Sequence, residues 1–439
     1  MHPEFELYSS RSDRDSINKE RKNEMRKMKK FAALGLAVVM TATLFTGCGK
    51  SEDEGKTADG KVKLRFATWD DAEVLDSQQE CVDKFNASQD KIEVTLEAYG
   101  NDFDKKLTAS MGAGDAPDVM YMWDYPTYGD ALEPLDERIE AEGAEFKDNF
   151  YEALWPYNSK DGTTYGVPVS VVTSCLYYNK DIFDQAGVAY PTDDWTWADV
   201  EKASKEIQSK VENVNGFSFG MKTLPYTFEM YLWSNGTSFV DKDGKMDGNM
   251  NGKKAVEVFK MFQNMEKEGT AYAAEKSVSS EMLGGKTAMY VDGTWPIEQL
   301  DEAGVNYGIV QIPKFEGQDT SKSVINTCGI AISKESKHKD EAWEFLKFWT
   351  GEEMNKYRIN TELPALKSVV DSEGLMNNEK YAPFYTALEN CEGYVPASFI
   401  VDDWSEIDED VTLAIESIFN PSSYADVQKT LDEVVSSHE

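Results

Sequence analysis

Three histidines in 439 residues leave little room for imidazole chemistry: His2 is next to the N-terminus, His338 lies in the polar run Ser336-Lys337-His338-Lys339, and His438 is penultimate. Ser-His-Asp and Cys-His catalysis and histidine-rich metal centres are therefore excluded as organising chemistries. Cysteine is scarce too, with residues 48, 81, 175, 328 and 391 widely spaced and none in a CxxC. Zinc-ribbon and thioredoxin readings fail on that spacing. Cys328 with Cys391 is the pair to test first for a disulfide, against the plainer expectation of buried free thiols. Basic residues are the third shortage, 45 Lys and Arg against 80 Asp and Glu, for a formal charge of -35. Nucleic acid is excluded as a partner, because its phosphates require neutralising cations. Also missing is an apolar run of the roughly 20 residues that a membrane-spanning helix needs.

The tract that comes nearest opens with Arg26-Lys27-Met28-Lys29-Lys30, runs apolar from Phe31 to Phe45 and closes on Thr46-Gly47-Cys48. That order is the layout of an export signal. Leu44-Phe45-Thr46-Gly47-Cys48 resembles the bacterial lipobox, in which a small residue before Cys admits a peptidase and the thiol takes a diacylglyceryl group, although Phe45 replaces the usual aliphatic residue. Residues 25–47 are expected to be removed, leaving Cys48 as a lipidated first residue that holds the chain to the extracellular side of the cell membrane. Two or more acyl chains make such an anchor stable. An ordinary secretory signal with an incidental Cys is the alternative. Residues 1–24 mix Asp13, Asp15, Glu20 and Glu24 with Arg and Lys, unlike a short basic leader, so translation is expected to start at Met25 or Met28. Without the nine basic and six acidic residues ahead of Cys48, 36 basic and 74 acidic remain, a net charge of -38. Such a charge favours a soluble monomer.

Residues 49–60, GKSEDEGKTADG, carry no large apolar side chain and read as a flexible tether. The remainder is too long for one ordinary core, which predicts two lobes, and 41% hydrophobic with 12% aromatic residues predicts a packed body. Alternation in VKLRFATW from Val62, helical spacing of Val74, Leu75, Cys81, Val82 and Phe85, and a strand at 92–96 form a β-α-β opening. This predicts a doubly wound α/β lobe with ligand sites at the carboxyl ends of its strands. A helix is expected near 102–111, a strand at 118–122 and a strand-like stretch at 165–178 interrupted by Pro168. Helices at 253–268, 342–349 and 404–419 follow. The stripe Val256, Phe259, Phe262, Met265 is assigned to core.

Several separated motifs follow one another along the chain. They are Leu107-Thr108-Ala109 with Gly112-Ala113-Gly114-Asp115-Ala116-Pro117-Asp118-Val119; Tyr165-Gly166-Val167-Pro168; Leu176-Tyr177-Tyr178-Asn179-Lys180-Asp181 with Phe183, Ala186-Gly187 and Thr196-Trp197; Gly285-Lys286-Thr287-Ala288-Met289 with Gly293 and Trp295; and Ala342-Trp343-Glu344-Phe345. In this order they resemble the extracellular solute-binding proteins of ABC transporters, in particular the sugar-binding family that includes maltose binders. The resemblance implies an α/β, two-lobed, type II periplasmic-binding-protein-like fold with a ligand cleft between lobes. It implies a carbohydrate ligand, ABC permease subunits as partners, no cofactor and no catalysis. Lobes are expected at 61–170 plus 311–365 and at 171–310 plus 366–439. Locally, Gly112 and Gly114 suit left-handed exits from a helix, and Asn179 suits a cap for the helix that starts near Ile182.

At the expected strand ends the chain sets aromatics beside carboxylates: Trp69-Asp70-Asp71, Trp123-Asp124-Tyr125, Tyr226 with Phe228-Glu229 in an expected loop, then Trp295 and Trp404. Rings can cover the C–H faces of a sugar while acids accept its hydroxyl hydrogens. Core packing is the bland alternative for each ring and a solvated turn for each Asp. By resemblance, Trp69, Asp71, Trp123, Asp124, Tyr226, Trp295 and Trp404 match site positions, with Gly329 near a lobe crossing. Val172 and Thr173 stand where the family's maltose binder has an acid. Other functions stay open: a cell-surface glycosidase or lyase using two cleft carboxylates, a non-transport polysaccharide-binding lipoprotein, or the same fold holding a non-sugar solute. Two look-alikes are set aside. Asp241-Lys242-Asp243-Gly244 lacks the Glu of a calcium loop at its twelfth position, which is Gly252, and reads as a hairpin turn. Gly284-Gly285-Lys286-Thr287 lacks the first glycine of a phosphate loop, since position 280 is Ser280.

Overall fold

The computed structural model describes residue 57 and residues 60–438, apart from 71, 276, 360–362 and 403. The expected signal tract and Cys48 lie outside the described residues. In chain order the elements that matter are β1 (Val62–Thr68), α1 (Ala72–Ser88), β2 (Ile92–Ala98), α2 (Phe103–Ala113), β3 (Val119–Met122), β4 (Gly166–Pro168), β5 (Val172–Thr173) and β6 (Cys175–Asn179). Then come α3 (Lys180–Ala186), α4 (Trp197–Lys210), β7 (Phe217–Gly220), α5 (Pro225–Ser234), α6 (Lys253–Lys267), β8 (Ala271–Ala274), β9 (Met289–Asp292) and β10 (Tyr307–Val310). The last set is β11 (Ile325–Asn326), β12 (Gly329–Ile332), α7 (Lys339–Thr350), α8 (Ala382–Asn390), α9 (Trp404–Phe419) and α10 (Val427–His438).

Two five-stranded sheets carry the molecule. The first has the order β2-β1-β3-β12-β4, and the second β8-β7-β9-β6-β10. In the first, β1 runs parallel to β2 and β3 while β12 is antiparallel to β3. Both faces of β1 are covered towards its carboxyl end, where Phe66, Ala67 and Thr68 are buried in succession. Leu64 and Phe66 point to a core shared with Cys81, Val82 and Phe85 of α1 and Phe345 and Trp349 of α7, and Ala67 points the other way among Leu107, Met120 and Met122. The Phe66 ring meets Trp349 edge-on at 4.8 Å, and burying a side chain of that size stabilises by about 1.5–3 kcal/mol. The second sheet divides in the same way, with Cys175 and Tyr177 on one face and Leu176 and Tyr178 on the other. Val256, Phe259, Phe262 and Met265 of α6 are all buried, as their spacing predicts, and Phe259 stacks on Phe228 at 4.4 Å.

The chain passes between the sheets at 169–174 and again at 311–328, and the passing strands meet. Val172 pairs with Asn326 and Thr173 with Ile325, antiparallel, forming a two-rung ribbon. Later, Lys367 and Ser368 hydrogen-bond to Asn149 on the first-sheet side, and α8 packs on β5 and β6.

Local chemistry sets the element ends. The Asn179 side chain accepts the Ile182 N–H at 3.1 Å, and Thr196 with Asp199 forms a full capping box on α4. Gly114 ends α2 at φ +69°. Gly112 differs from expectation: it lies within α2 and has no positive φ. The stretch Tyr226 to Glu229 is helix α5 rather than loop, because Pro225 occupies the first turn, where its missing N–H costs nothing. Asp241 accepts the N–H groups of Asp243 and Lys245 through one carboxylate oxygen and closes a turn. The four described cysteines are buried thiols. Cys391 Sγ donates to the Ser323 carbonyl at 2.9 Å, and Cys328 Sγ lies 3.4 Å from Ser170 Oγ.

Candidate ligand cleft at the strand ends

The carboxyl ends of β1 and β3 carry Trp69-Asp70 and Trp123-Asp124, and those of β7 and β9 lead into Tyr226 and into Asp292, Gly293 and Trp295. Open doubly wound sheets place ligands at such ends, because chain reversal leaves a crevice there.

On the first sheet, Trp69 is half-buried, its ring 5.2 Å from Tyr121 and edge-on to Phe103 at 5.3 Å. Asp70 is held by Thr68 Oγ1 at 2.9 Å and Gln78 Nε2 at 2.6 Å. Its carboxylate is thus partly consumed by the scaffold. Asp71 lies outside the described residues. Trp123 is 42% exposed, the most open ring on this side, and Asp124 beside it accepts the Thr127 N–H at 3.1 Å. Tyr125 is a correction to expectation. It is fully buried, and its hydroxyl is enclosed by Gly166, Gly329 and Asn158, so it supports the strand end rather than facing solvent. A Cβ on Gly329 would stand 2.3 Å from that hydroxyl and 1.9 Å from Asn158 Oδ1, so glycine is required there.

On the second sheet, Trp295 is 44% exposed and its ring lies across Gly293, where a Cβ would meet it at 2.1 Å. Tyr177 fixes the same turn by donating its phenol to the Gly293 carbonyl at 2.5 Å, and Asp292 accepts the Gly293 N–H. Tyr226 is half-buried and donates to the Ile325 carbonyl of β11 at 2.5 Å, while burial pushes its phenol well above the ordinary range.

Four further expectations move inward. Thr173 is buried and donates to the Phe384 carbonyl at 2.7 Å, and half-buried Val172 precedes it in the ribbon. Glu229 is 2% exposed; its Oε2 accepts the Ala397 N–H at 2.8 Å. Trp404 is 7% exposed within the second core and donates to Asp408 at 3.1 Å. Residue type alone could not separate these from Trp123 and Trp295, because the difference is made by what packs on them. Asp292 was missed, although an acid beside Gly293 and Trp295 repeats the pattern that flagged Trp123-Asp124. Tyr157 is buried with its ring 5.3 Å from Phe399, a contact that no local sequence signal marks.

The arrangement offers two accessible indole rings, each next to a carboxylate, on two different sheets. Such a set can bind a molecule that has both apolar C–H faces and hydroxyl donors.

The chain is similar to known binding proteins. Residues 35–356 match the family model described as bacterial extracellular solute-binding protein. A putative binding protein of Brucella abortus is 28% identical over 335 residues, covering 72% of this chain and 77% of its own. The galactooligosaccharide-binding protein of Bacillus subtilis is 26% identical over 372 residues, covering 81% and 85%. Among solved structures, an ABC substrate-binding protein from Listeria monocytogenes in complex with cycloalternan has a TM-score of 0.71 at 23% identity, covering 86% of this chain and 98% of that one. A binding protein from Mycobacterium tuberculosis in complex with glycerophosphocholine has a TM-score of 0.71 at 21% identity, with the same coverage.

Proposed function

The chain belongs to the bacterial extracellular solute-binding protein family, and from that premise we propose that it captures a mono- or oligosaccharide between its two lobes and hands it to an ABC importer. The observation that carries the choice of ligand is the pair Trp123 with Asp124 and Trp295 with Asp292, one on each sheet. Rings of this kind cover sugar faces, and carboxylates accept hydroxyl hydrogens. Asp71, Trp69, Tyr226 and Gly329 complete the proposed site, and Tyr125, Thr173, Glu229 and Trp404 support it from behind.

A phosphate-bearing solute is the second reading, because relatives that bind glycerol phosphate also match over part of the chain. A phosphate calls for fixed cations or a helix N-terminus. The strand-end residues here are acids and indoles, and Lys222, in the loop after β7, is paired with Glu416 at 2.9 Å. This favours a neutral polyhydroxyl ligand.

The proposed lobes are 61–170 with 311–365 and 171–310 with 366–439, and ligand favours their closed arrangement by its differential affinity. We place the chain on the extracellular side, held by lipid on Cys48. Titration calorimetry of residues 60–439 with mono- and oligosaccharides, and with glycerol phosphates in parallel, tests the ligand class. Heat from a glycerol phosphate and none from any sugar would overturn it. Any cleavage of an oligosaccharide in the same mixtures would favour an enzyme instead.

A further inference from the structure

Glu229 sits on α5 one turn beyond Tyr226 and is enclosed, and among the described residues no cation acts on its carboxyl. Its Oε2 accepts the Ala397 N–H at 2.8 Å, and the Phe239 N–H also faces the carboxyl. Oε1 is buried with no hydrogen-bond partner among the described residues. The titratable groups around it are Tyr226 on its own helix, Tyr157 from the first-sheet side, and Asp408 of α9, a second acid. Burial above all, with a smaller push from Asp408, raises the Glu229 carboxyl to about 8 against the opposing pull of the two N–H groups.

What Glu229 touches gives it consequence. Ala397 opens the turn Ala397–Phe399, and Phe399 packs on the ring of Tyr157. One turn away, Tyr226 is bonded to Ile325 in the ribbon that joins the sheets. The helix α5 is thereby pinned at one point to the ribbon and at another to a turn that bears on the opposite side of the cleft. We propose that Glu229 is a positioning residue that works as a neutral carboxyl, fixing the 397–399 turn to α5 so that Tyr226 and Phe399 keep the geometry on which the lobes close. Ionised, it would place a charge beside Asp408 with no cation to offset it, and the turn would be drawn aside to let water in. The role in closing rests on the binding reading given above; the protonation and the fixing of the turn do not.

Thermal unfolding of the unliganded full chain from pH 5 to 9 separates the two. The midpoint of the wild type is expected to fall relative to Glu229→Gln as pH rises, with the gap levelling above about pH 8. Parallel curves would overturn the proposal. Infrared spectra guard against a variant that fails to fold: the wild type at pH 6 should show the carbonyl stretch of a protonated carboxyl that survives in Asp408→Asn and disappears by pH 9. Its absence would overturn the proposal without touching the sugar reading. Once a ligand is in hand, affinity should drop at least tenfold between pH 6 and 9 in the wild type and stay level in Glu229→Gln; equal profiles in the two would sink the positioning role.

Discussion

The Tyr125 hydroxyl occupies the space that a side chain on Gly329 would need, 2.3 Å from an ideal Cβ there. Gly329 pairs with Met122 on one side and Pro168 on the other, so the strand cannot slide to make room. Gly329→Ala is expected to destabilise by about 1–3 kcal/mol through overpacking, read as a lower midpoint in urea. Gly112→Ala, with open space and ordinary torsions inside α2, should instead be neutral or stabilise by up to about 1 kcal/mol.

Trp123 and Trp295 are partly exposed, so alanine at either should cost less stability than at a core ring, about 1 kcal/mol or less. Affinity is the quantity expected to move. Losing an indole that covers a sugar face costs about 1.5–3 kcal/mol, which is roughly ten- to a hundredfold in Kd by calorimetry. Trp404→Ala should do the reverse first, costing about 3–5 kcal/mol of folding stability because its ring is enclosed in the second core.

The sign of the Glu229 effect follows from the two states of the chain. Folded, the carboxyl keeps its proton to about pH 8, against an ordinary value of 4.5. The unfolded chain therefore releases a proton that the native state retains, and stability falls by about 1.4 kcal/mol per pH unit across that window. The contribution is complete below about 4.5 and gone above about 8. Chemical denaturation of wild type against Glu229→Gln at pH 5, 6.5 and 8.5 measures it as a difference, which removes the titrations the two proteins share.

Much of this architecture was legible in the sequence, and the failures have physical causes. The α6 stripe announced itself because one face of an amphipathic helix must be apolar. Helix α5 did not, because Phe228, Met230, Tyr231, Leu232 and Trp233 are buried all around it, and a helix without a polar face has no period to detect. The pairing of Val172 with Asn326 joins distant segments through backbone groups, which leave no mark on side-chain pattern. For the candidate site, residue type singled out Trp123, Trp295 and Trp404 alike and could not tell the two exposed rings from the buried one. Burial is a property of neighbours brought in by the fold.

Asn179 is a compact test of local encoding. Its side chain satisfies one N–H at the start of α3, and Asn179→Ala should cost about 1 kcal/mol in thermal or urea unfolding. Asn179→Asp should retain most of the stability, since the carboxylate can accept the same bond.

Cys81, Cys175, Cys328 and Cys391 are buried thiols. A thiol reagent should label none of them in the native protein and all four in denaturant, and a reducing agent should leave the unfolding midpoint unchanged. A midpoint lowered by reduction would reveal a disulfide instead.

The ribbon of Val172, Thr173, Ile325 and Asn326 is only two rungs long, and this gives the molecule a mechanical character. Two short strands side by side resist being pulled apart or sheared, because either motion breaks both rungs together. They resist twisting and bending far less, since small changes in a few torsions suffice. In the proposed closing of the lobes, a rotation about this ribbon would ask the least of it, and the strand ends would act as lever tips. A slight turn there would swing the strand ends that carry Trp123 and Trp295 through a longer path, so the torsions that change need not belong to the residues that grip.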